Sequence, residues 1–148
     1  MRKVLVAYTS RTGNTEKVAG YIAEGLRMSG HEPVLKKISD IKDAEAMEGY
    51  DAYVFGCPTY HRDMTGGMKQ FLFKAENLNL VGKVGGSFGS YTHSGDAPKY
   101  IFDTMQFVYK MDMTELGSLN ILEGDIDNPD AIKSGQDYGK SIGVKLPV

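Results

Sequence analysis

The chain's 148 residues are enough for one domain whose core folds without a disulfide or a structural metal. Its net charge of −2 arises from 17 basic and 19 acidic residues, which are scattered rather than gathered in a basic stripe, so we expect no nucleic-acid partner. The single cysteine, Cys57, excludes an intramolecular disulfide and is typical of a reducing compartment.

The N-terminal sequence MRKVLVAYTSR has too short an apolar run for a secretory signal. No apolar run elsewhere approaches the roughly 20 residues of a membrane span. We therefore expect a cytoplasmic protein without a membrane segment, in which residues 1–148 form a single domain.

Two hydrophobic periods alternate along the chain. Short apolar runs predict strands, and apolar residues three and four positions apart predict helices. In chain order the predicted elements are strand Val4–Tyr8, helix Asn14–Met28, strand Glu32–Ile38, a short helix Ile41–Met47, strand Ala52–Phe55, helix Thr65–Glu76, strand Val84–Phe88, helix Pro98–Met111, strand Leu116–Ile121 and helix Pro129–Val144.

Side chains that favour helix starts precede three of these helices. Asp63 or Thr65 stands before the second long helix, and Asp96 stands before the third. Asn128 precedes Pro129 at the start of the last helix, where proline is also favoured. The capping residues therefore support the predicted boundaries.

The alternation of strands and helices predicts an α/β fold in which an open parallel sheet carries helices on both faces. In such sheets, ligands bind beyond the carboxyl ends of the strands. The loops to inspect are therefore 9–15, 56–64 and 89–97. All three are rich in glycine, hydroxyl and aromatic residues.

The first of these loops has the sequence SRTGNT and leads from a strand into a helix. Free N–H groups at a helix start favour an anion, and Ser10, Thr12, Asn14 and Thr15 add neutral donors. Gly13 allows a tight turn and a close approach of the backbone. The pattern predicts a phosphate site held by many donors. The alternative is an ordinary helix cap with a Ser/Thr turn, for which one hydroxyl would suffice.

SRTGNT resembles the phosphate loop of flavodoxins, whose pattern is T/S-x-T-G-x-T. The stretches GCPTYHRDMTGGMKQFL and VGGSFGSYTHSGDA resemble the second and third flavin loops, above all those in the flavodoxin domain of flavo-diiron proteins. The resemblance covers essentially the whole chain. It implies a flavodoxin-like three-layer sandwich with a five-stranded parallel sheet of order 2-1-3-4-5, and non-covalent FMN as the cofactor.

The resemblance also implies a set of cofactor-binding residues in the three loops, with no catalytic residue and no metal ligand. A flavin ring needs flat or apolar walls and donors along its polar edge, which the loop aromatics and backbone N–H groups can supply. The set is Thr9, Ser10, Arg11, Thr12, Gly13, Asn14, Thr15, Pro58, Thr59, Tyr60, His61, Arg62, Gly89, Ser90, Tyr91, Thr92, His93, Ser94, Gly95 and Asp96.

Several of these residues have a structural alternative. The Arg11 side chain is expected to point to water, and Asp96 to cap a helix. For His61 and His93, flavin contact and a surface position are equally good. We expect packing roles for Cys57, Met64 and Met68, strand roles for Ser87 and Phe88, and a solvated cap role for His31.

The second loop departs from the family pattern because residues 58–63 contain no glycine, where many flavodoxins have one. His61 or Arg62 stands in its place. The departure puts in doubt a backbone hydrogen bond to the flavin that the glycine permits in those proteins.

The leading functional hypothesis is a low-potential electron carrier that passes electrons between reductase and acceptor proteins, as a monomer or weak dimer. The alternative is a small FMN-dependent NAD(P)H:quinone oxidoreductase, in which Tyr60, His61 and His93 line an open flavin face. A flavin-free receiver module is disfavoured, because the first and third strands lead into Thr9 and Cys57 rather than into an acidic cluster.

Overall fold

Six parallel strands form one sheet in the computed structural model, which describes residues 1–147. The strands are β1 (Lys3–Tyr8), β2 (Glu32–Lys37), β3 (Ala52–Gly56), β4 (Val84–Tyr91), β5 (Asp112–Met113) and β6 (Leu119–Leu122). Their spatial order is β2-β1-β3-β4-β5, and β6 also pairs with β4. Because β5 pairs with the start of β4 and β6 with its end, the two short strands share the fifth position of the sheet. The predicted order 2-1-3-4-5 is confirmed.

Helices cover both faces of this sheet. They are α1 (Asn14–Met28), α2 (Gly66–Ala75), α3 (Ala97–Asp103), which continues into a π-helical turn (Thr104–Val108), and α4 (Pro129–Gly143); 3-10 turns span Ile38–Asp40, Ala44–Met47 and Glu123–Asp125. In the described part of the chain, no helix has both the length and the apolar character needed to cross a membrane.

Successive side chains along a strand point to opposite faces of the sheet, so each strand contributes to two separate apolar cores. Leu5 and Phe55 pack with residues of α2 and α3 on one face. Val6 and Val54 pack with residues of α1 and α4 on the other. All four side chains are fully buried, and burial of each stabilises the fold by roughly 1.5–3 kcal/mol. The predicted three-layer sandwich is confirmed.

The strand register brings the ends of the central strands to one level. Tyr8 at the end of β1 lies opposite Gly56 of β3, and Gly56 lies opposite Phe88 of β4. The chain segments that follow these residues therefore leave the sheet side by side, at its carboxyl edge.

Two strand predictions were wrong at their ends. β4 continues to Tyr91, because β6 provides hydrogen-bonding partners for residues 88–91, so Gly89, Ser90 and Tyr91 belong to a strand rather than a loop. The strand predicted from Leu116 begins only at Leu119. Leu116 is 59% exposed, and Gly117 has a φ of 76°, which interrupts the extended backbone.

Three other boundaries also differ. The helix predicted to reach Met111 keeps α-helical geometry only to Asp103, and Lys110, with a φ of 58°, reverses the chain before β5. The short helix predicted over 41–47 is a 3-10 turn over 44–47, whose first turn is capped by Asp43. Ile38 begins a 3-10 turn instead of ending β2.

Of the predicted capping side chains, only Thr65 caps a helix; its hydroxyl accepts a hydrogen bond from Met68 N at 3.2 Å. Asp63 instead accepts a bond from Met64 N at 2.7 Å. Asp96 and Asn128 occupy N-cap positions without a side-chain cap bond. Asn128 donates its amide N–H to Asp125 at 3.3 Å, which leaves its side chain turned away from the helix start.

His31 is a core residue, so its predicted solvated position is wrong. It is only 3% exposed and lies between the N-terminal strands and the end of α4. Its Nδ1 accepts a hydrogen bond from Arg2 N at 3.3 Å, and its Nε2 donates to the Gly143 carbonyl at 3.1 Å. Both ring nitrogens are thus used to join the chain's two ends.

Tyr138 of α4 fills the gap in the fifth strand position. Between β5 and β6, the middle of β4 has no strand partner on that side of the sheet, although β3 pairs with it on the other side. There the Tyr138 hydroxyl accepts a hydrogen bond from Ser87 N at 3.0 Å and donates one to the Gly117 carbonyl at 2.5 Å. Burial raises the pKa of this phenol well above its usual range.

Candidate functional site

The first loop presents unused backbone donors at the start of α1. Gly13 occupies the N-cap position with a φ of 89° and has no side-chain cap. The Ser10 hydroxyl accepts hydrogen bonds from Gly13 N at 3.1 Å and from Glu16 N at 3.4 Å. Within residues 1–147, the N–H groups of Asn14 and Thr15 have no acceptor. The loop therefore has the local turn that the capping alternative predicts, and it also keeps donors free for an anion.

Two hydroxyls join the first loop to the end of β4. Thr15 Oγ1 and Ser90 Oγ lie 2.8 Å apart, and each residue is 1% exposed. The pair fixes the base of the loop against the sheet. By contrast, Thr12 lies exposed and accepts a bond from the Asn14 amide at 3.1 Å.

The second loop is a tight hairpin turn. Tyr60 N donates to the Asp63 carbonyl at 2.8 Å, and Asp63 N donates to the Tyr60 carbonyl at 2.9 Å. The two residues between them, His61 and Arg62, have φ values of 49° and 61°. Positive φ at both central positions is the pattern of a type I′ turn, which favours Asn-Gly. The turn thus takes the left-handed backbone without a glycine, and both side chains lie exposed at its tip.

Thr59 anchors the second loop to the third. Thr59 N donates to the Ser90 carbonyl at 3.3 Å, and its hydroxyl accepts a bond from Ala97 N at 3.1 Å. The Thr59 hydroxyl thus accepts the hydrogen bond of the first backbone N–H of α3, which is the capping role that the sequence predicted for Asp96. Pro58 beside it is buried.

Packing requires two glycines in this region, Gly89 at the end of β4 and Gly95 in the third loop. A Cβ on Gly89 would lie 2.4 Å from the Cys57 carbonyl, and a Cβ on Gly95 would lie 1.8 Å from the Asn120 amide nitrogen. That nitrogen donates to the Gly95 carbonyl at 2.6 Å. Asn120 lies in β6 and holds the third loop in place through this bond. Sequence analysis missed it, because no motif near it along the chain indicates such a contact.

The second loop separates two clefts at the carboxyl edge. Tyr60 and His61 line both of them. The inner slot, of about 400 Å³, lies between the second and third loops and is lined by Thr59, Tyr60, His61, Arg62, Thr92, His93 and Ser94. The outer cleft, of about 530 Å³, also contacts Thr9, Arg11 and the start of α2.

Three of the predicted residues, Tyr91, Gly95 and Asp96, are not among those that line the two clefts. Tyr91 is half-buried at the end of β4, beside Asn120, and borders a different pocket along β6. Ser94, Gly95 and Asp96 are half-buried. The Arg11 side chain, expected to point to water, lies with its guanidinium carbon 5.1 Å from the centre of the Tyr60 ring.

Two ionisable groups near the site, Asp63 and Cys57, have shifted pKa values. The hydrogen bond and ion pair from Lys69, 2.5 Å away, lower the pKa of Asp63 below its usual value. Burial raises the pKa of the Cys57 thiol to about 12, which agrees with the packing role expected for it. Met68 is fully buried and Met64 half-buried against the same core; Ser87 and Phe88 lie buried within β4.

The comparisons with known proteins agree with this architecture. A flavodoxin from Maridesulfovibrio salexigens is 30% identical over 149 residues, which span 96% of this chain and all of that protein. An NAD(P)H dehydrogenase (quinone) from Sinorhizobium fredii is 28% identical over 95% of this chain and 82% of its own. The solved structure of an archaeal flavodoxin superposes with a TM-score of 0.87 at 27% identity, covering 97% of both chains.

The family profile named Flavodoxin matches residues 6–134, which include all three loops at the carboxyl edge. That match, together with the sheet order and the donor-rich start of α1, leads to one conclusion: the chain belongs to the flavodoxin family.

Proposed function

We propose that this chain binds FMN non-covalently at the carboxyl edge of its sheet and carries electrons between redox proteins, as one domain over residues 1–148. The observation that supports the proposal most directly is that free backbone N–H donors at the start of α1 and the inner slot occur together at the carboxyl edge of the sheet. The N–H groups of Asn14 and Thr15 have no acceptor in the described chain, and the slot beside the second loop is walled by Tyr60 and His93.

The first loop suits a phosphate ester. Its N–H groups at the start of α1 point out of the helix, and the helix dipole favours a negative group there. Hydroxyls of Ser10 and Thr12 stand in the same loop. These donors are neutral, so they would anchor a phosphate in every oxidation state of the cofactor alike.

The inner slot suits a flat aromatic ring. The sequence contains no tryptophan, and the aromatic side chains that line the slot are those of Tyr60, His61 and His93, which are available to face such a ring. Thr59 and Asn120 hold the two sides of the slot in place through hydrogen bonds to the third loop. The residues present therefore fit FMN, which when bound supplies reversible uptake of one or two electrons.

A low reduction potential follows from the charges expected in this site. A reduced flavin carries a negative charge close to the phosphate, and the repulsion between these two negative charges disfavours reduction. The redox partners would be a reductase and an acceptor protein that dock at the exposed rim. A cytoplasmic location and a monomer or weak dimer complete the proposal.

Titration of the purified chain with FMN and with riboflavin tests the phosphate site. Riboflavin lacks the phosphate, so it should bind at least tenfold more weakly than FMN, since each hydrogen bond to a charged group contributes roughly 1.5–3 kcal/mol. Thr12→Val should weaken FMN and leave riboflavin unchanged, whereas the control Thr104→Val, on the π-helical turn, should change neither. Equal affinity for the two ligands in the unmodified chain would refute the proposal.

The quinone reductase alternative rests on the similarity to the NAD(P)H dehydrogenase (quinone) and on the exposed tip of the second loop. His61 leaves room for a small substrate at the open edge of the slot. Stopped-flow mixing of the FMN-loaded chain with NADPH distinguishes the two functions. Rapid loss of the oxidised-flavin absorbance after mixing favours the reductase, and an unchanged spectrum favours the electron carrier.

A further inference from the structure

Arg11 bridges the first and second loops through an aromatic ring. Its guanidinium carbon lies 5.1 Å from the centre of the Tyr60 ring, within the range of a cation–π contact. Arg11 and Tyr60 are both part of the outer cleft, and Tyr60 also lines the inner slot. The Tyr60 ring therefore forms a partition, with a cation on its outer side.

The charge of Arg11 is not neutralised by an ion pair. In the described part of the chain, no carboxylate lies within 4.0 Å of its guanidinium. The carboxylate of the same loop region, Asp63, is paired with Lys69. Arg62, at the tip of the second loop, is exposed and lines the inner slot, whereas Arg11 lies on the outer side of Tyr60.

We propose that Arg11 is a positioning residue that acts through Tyr60: it holds the aromatic wall of the slot and favours the reduced, more negative flavin over the oxidised one. This proposal rests on the proposed function. A nearby cation stabilises an anion, and the reduction potential shifts by as much as the affinities for the two oxidation states differ. Arg11 therefore offsets part of the lowering of the potential that is expected from the phosphate.

The change in flavin fluorescence on binding gives the dissociation constant for oxidised FMN. Anaerobic spectroelectrochemistry gives the reduction potential of bound FMN, which is compared with that of free FMN. Together these give the dissociation constant of the reduced cofactor. Arg11→Gln should weaken binding of reduced FMN relative to oxidised FMN by roughly threefold to tenfold, because the cation lies on the outer side of the Tyr60 ring and is exposed to solvent, which screens its charge. A tenfold change between the oxidised and the two-electron-reduced cofactor corresponds to a fall of about 30 mV in their midpoint potential.

Three further variants separate charge from structure. Arg11→Lys keeps the charge and should restore part of the potential. Arg27→Gln removes an equal charge from the last turn of α1, at the opposite edge of the sheet, and should leave the potential unchanged. In a Tyr60→Leu background the effect of Arg11→Gln should shrink, because the contact that positions the cation is gone.

The outcomes are distinct. If the unmodified chain does not bind FMN, the proposed function fails. If it binds FMN but Arg11→Gln weakens both oxidation states equally, Arg11 only anchors the cofactor and this inference is overturned. An unchanged potential in Arg11→Gln, or an equal fall in Arg27→Gln, also overturns it.

Discussion

Replacement of Tyr138 by phenylalanine should destabilise the protein by about 2–3 kcal/mol. Tyr138 is 1% exposed, and its hydroxyl is the only group of the described chain that accepts a hydrogen bond from Ser87 N. Without it, a buried N–H loses its partner, which costs roughly 1–3 kcal/mol. The Gly117 carbonyl, which is half-buried, loses a donor as well, but water can replace part of that bond.

Urea unfolding followed by far-UV circular dichroism measures this loss, since the chain has no tryptophan to report by fluorescence. In a thermal scan the melting temperature should fall by about 4–10 °C. Tyr21→Phe is the matched control. The Tyr21 hydroxyl donates to the Ile126 carbonyl at 3.0 Å from a half-buried position, so water can take its place and the loss should stay below about 1 kcal/mol.

A loss below about 1 kcal/mol for Tyr138→Phe, or equal losses for the two variants, would refute the reasoning. Either result would mean that Ser87 N finds another acceptor, and that the tyrosine does not complete the sheet.

Three more outcomes can be measured. Changing His61 and Arg62 together to Asn-Gly should raise the free energy of unfolding by about 1 kcal/mol. A left-handed backbone costs roughly 1–2 kcal/mol per ordinary residue, and the greater freedom of glycine in the unfolded chain offsets part of the gain. A lower melting temperature would mean that the two side chains make stabilising contacts. His31→Phe should cost about 1–3 kcal/mol in urea unfolding, since the Arg2 N–H and the Gly143 carbonyl lose their partner, and an unchanged midpoint would contradict this. For Cys57, the native thiol has a pKa of about 12 against 9.0 in the unfolded chain, so the unfolded state releases its proton first and stability should fall as the pH rises from 9 to 12. Per pH unit, the free energy of unfolding should fall by up to about 1.4 kcal/mol more in the unmodified protein than in Cys57→Ala. Parallel pH profiles for the two proteins would contradict the raised pKa of the thiol.

The fold could be predicted from the sequence because its signals are local. Continuous apolar runs marked β1 and β3, and three- and four-residue spacing marked α1, whose bounds Asn14–Met28 were predicted without error. The fifth strand position could not be predicted, because it depends on Tyr138, a side chain more than 20 residues from Gly117 along the chain. Leu116 is apolar yet exposed, so the apolar pattern alone placed the strand too early.

The candidate site was predicted as three loops but not as a network between them. Thr15 and Ser90 were each predicted to bind the cofactor, but the sequence did not predict that their hydroxyls lie 2.8 Å apart, because they are 75 positions apart along the chain. His31 illustrates the same difficulty: a polar residue after a glycine is usually exposed, and only the folded structure brings Arg2 and Gly143 to its two nitrogens. Which of the three loops' side chains touch a cofactor stays a prediction.

The division of the sheet's last position into β5 and β6 gives protein engineers a place to add sequence. Residues 115–118 lie outside the strands β5 and β6, and Glu115 and Leu116 are exposed there. A longer loop closes at little extra entropic cost, and Tyr138 already supplies the bonds that a continuous strand would have made. A peptide tag or a small reporter domain grafted between Glu115 and Leu116 should leave the carboxyl-edge loops undisturbed.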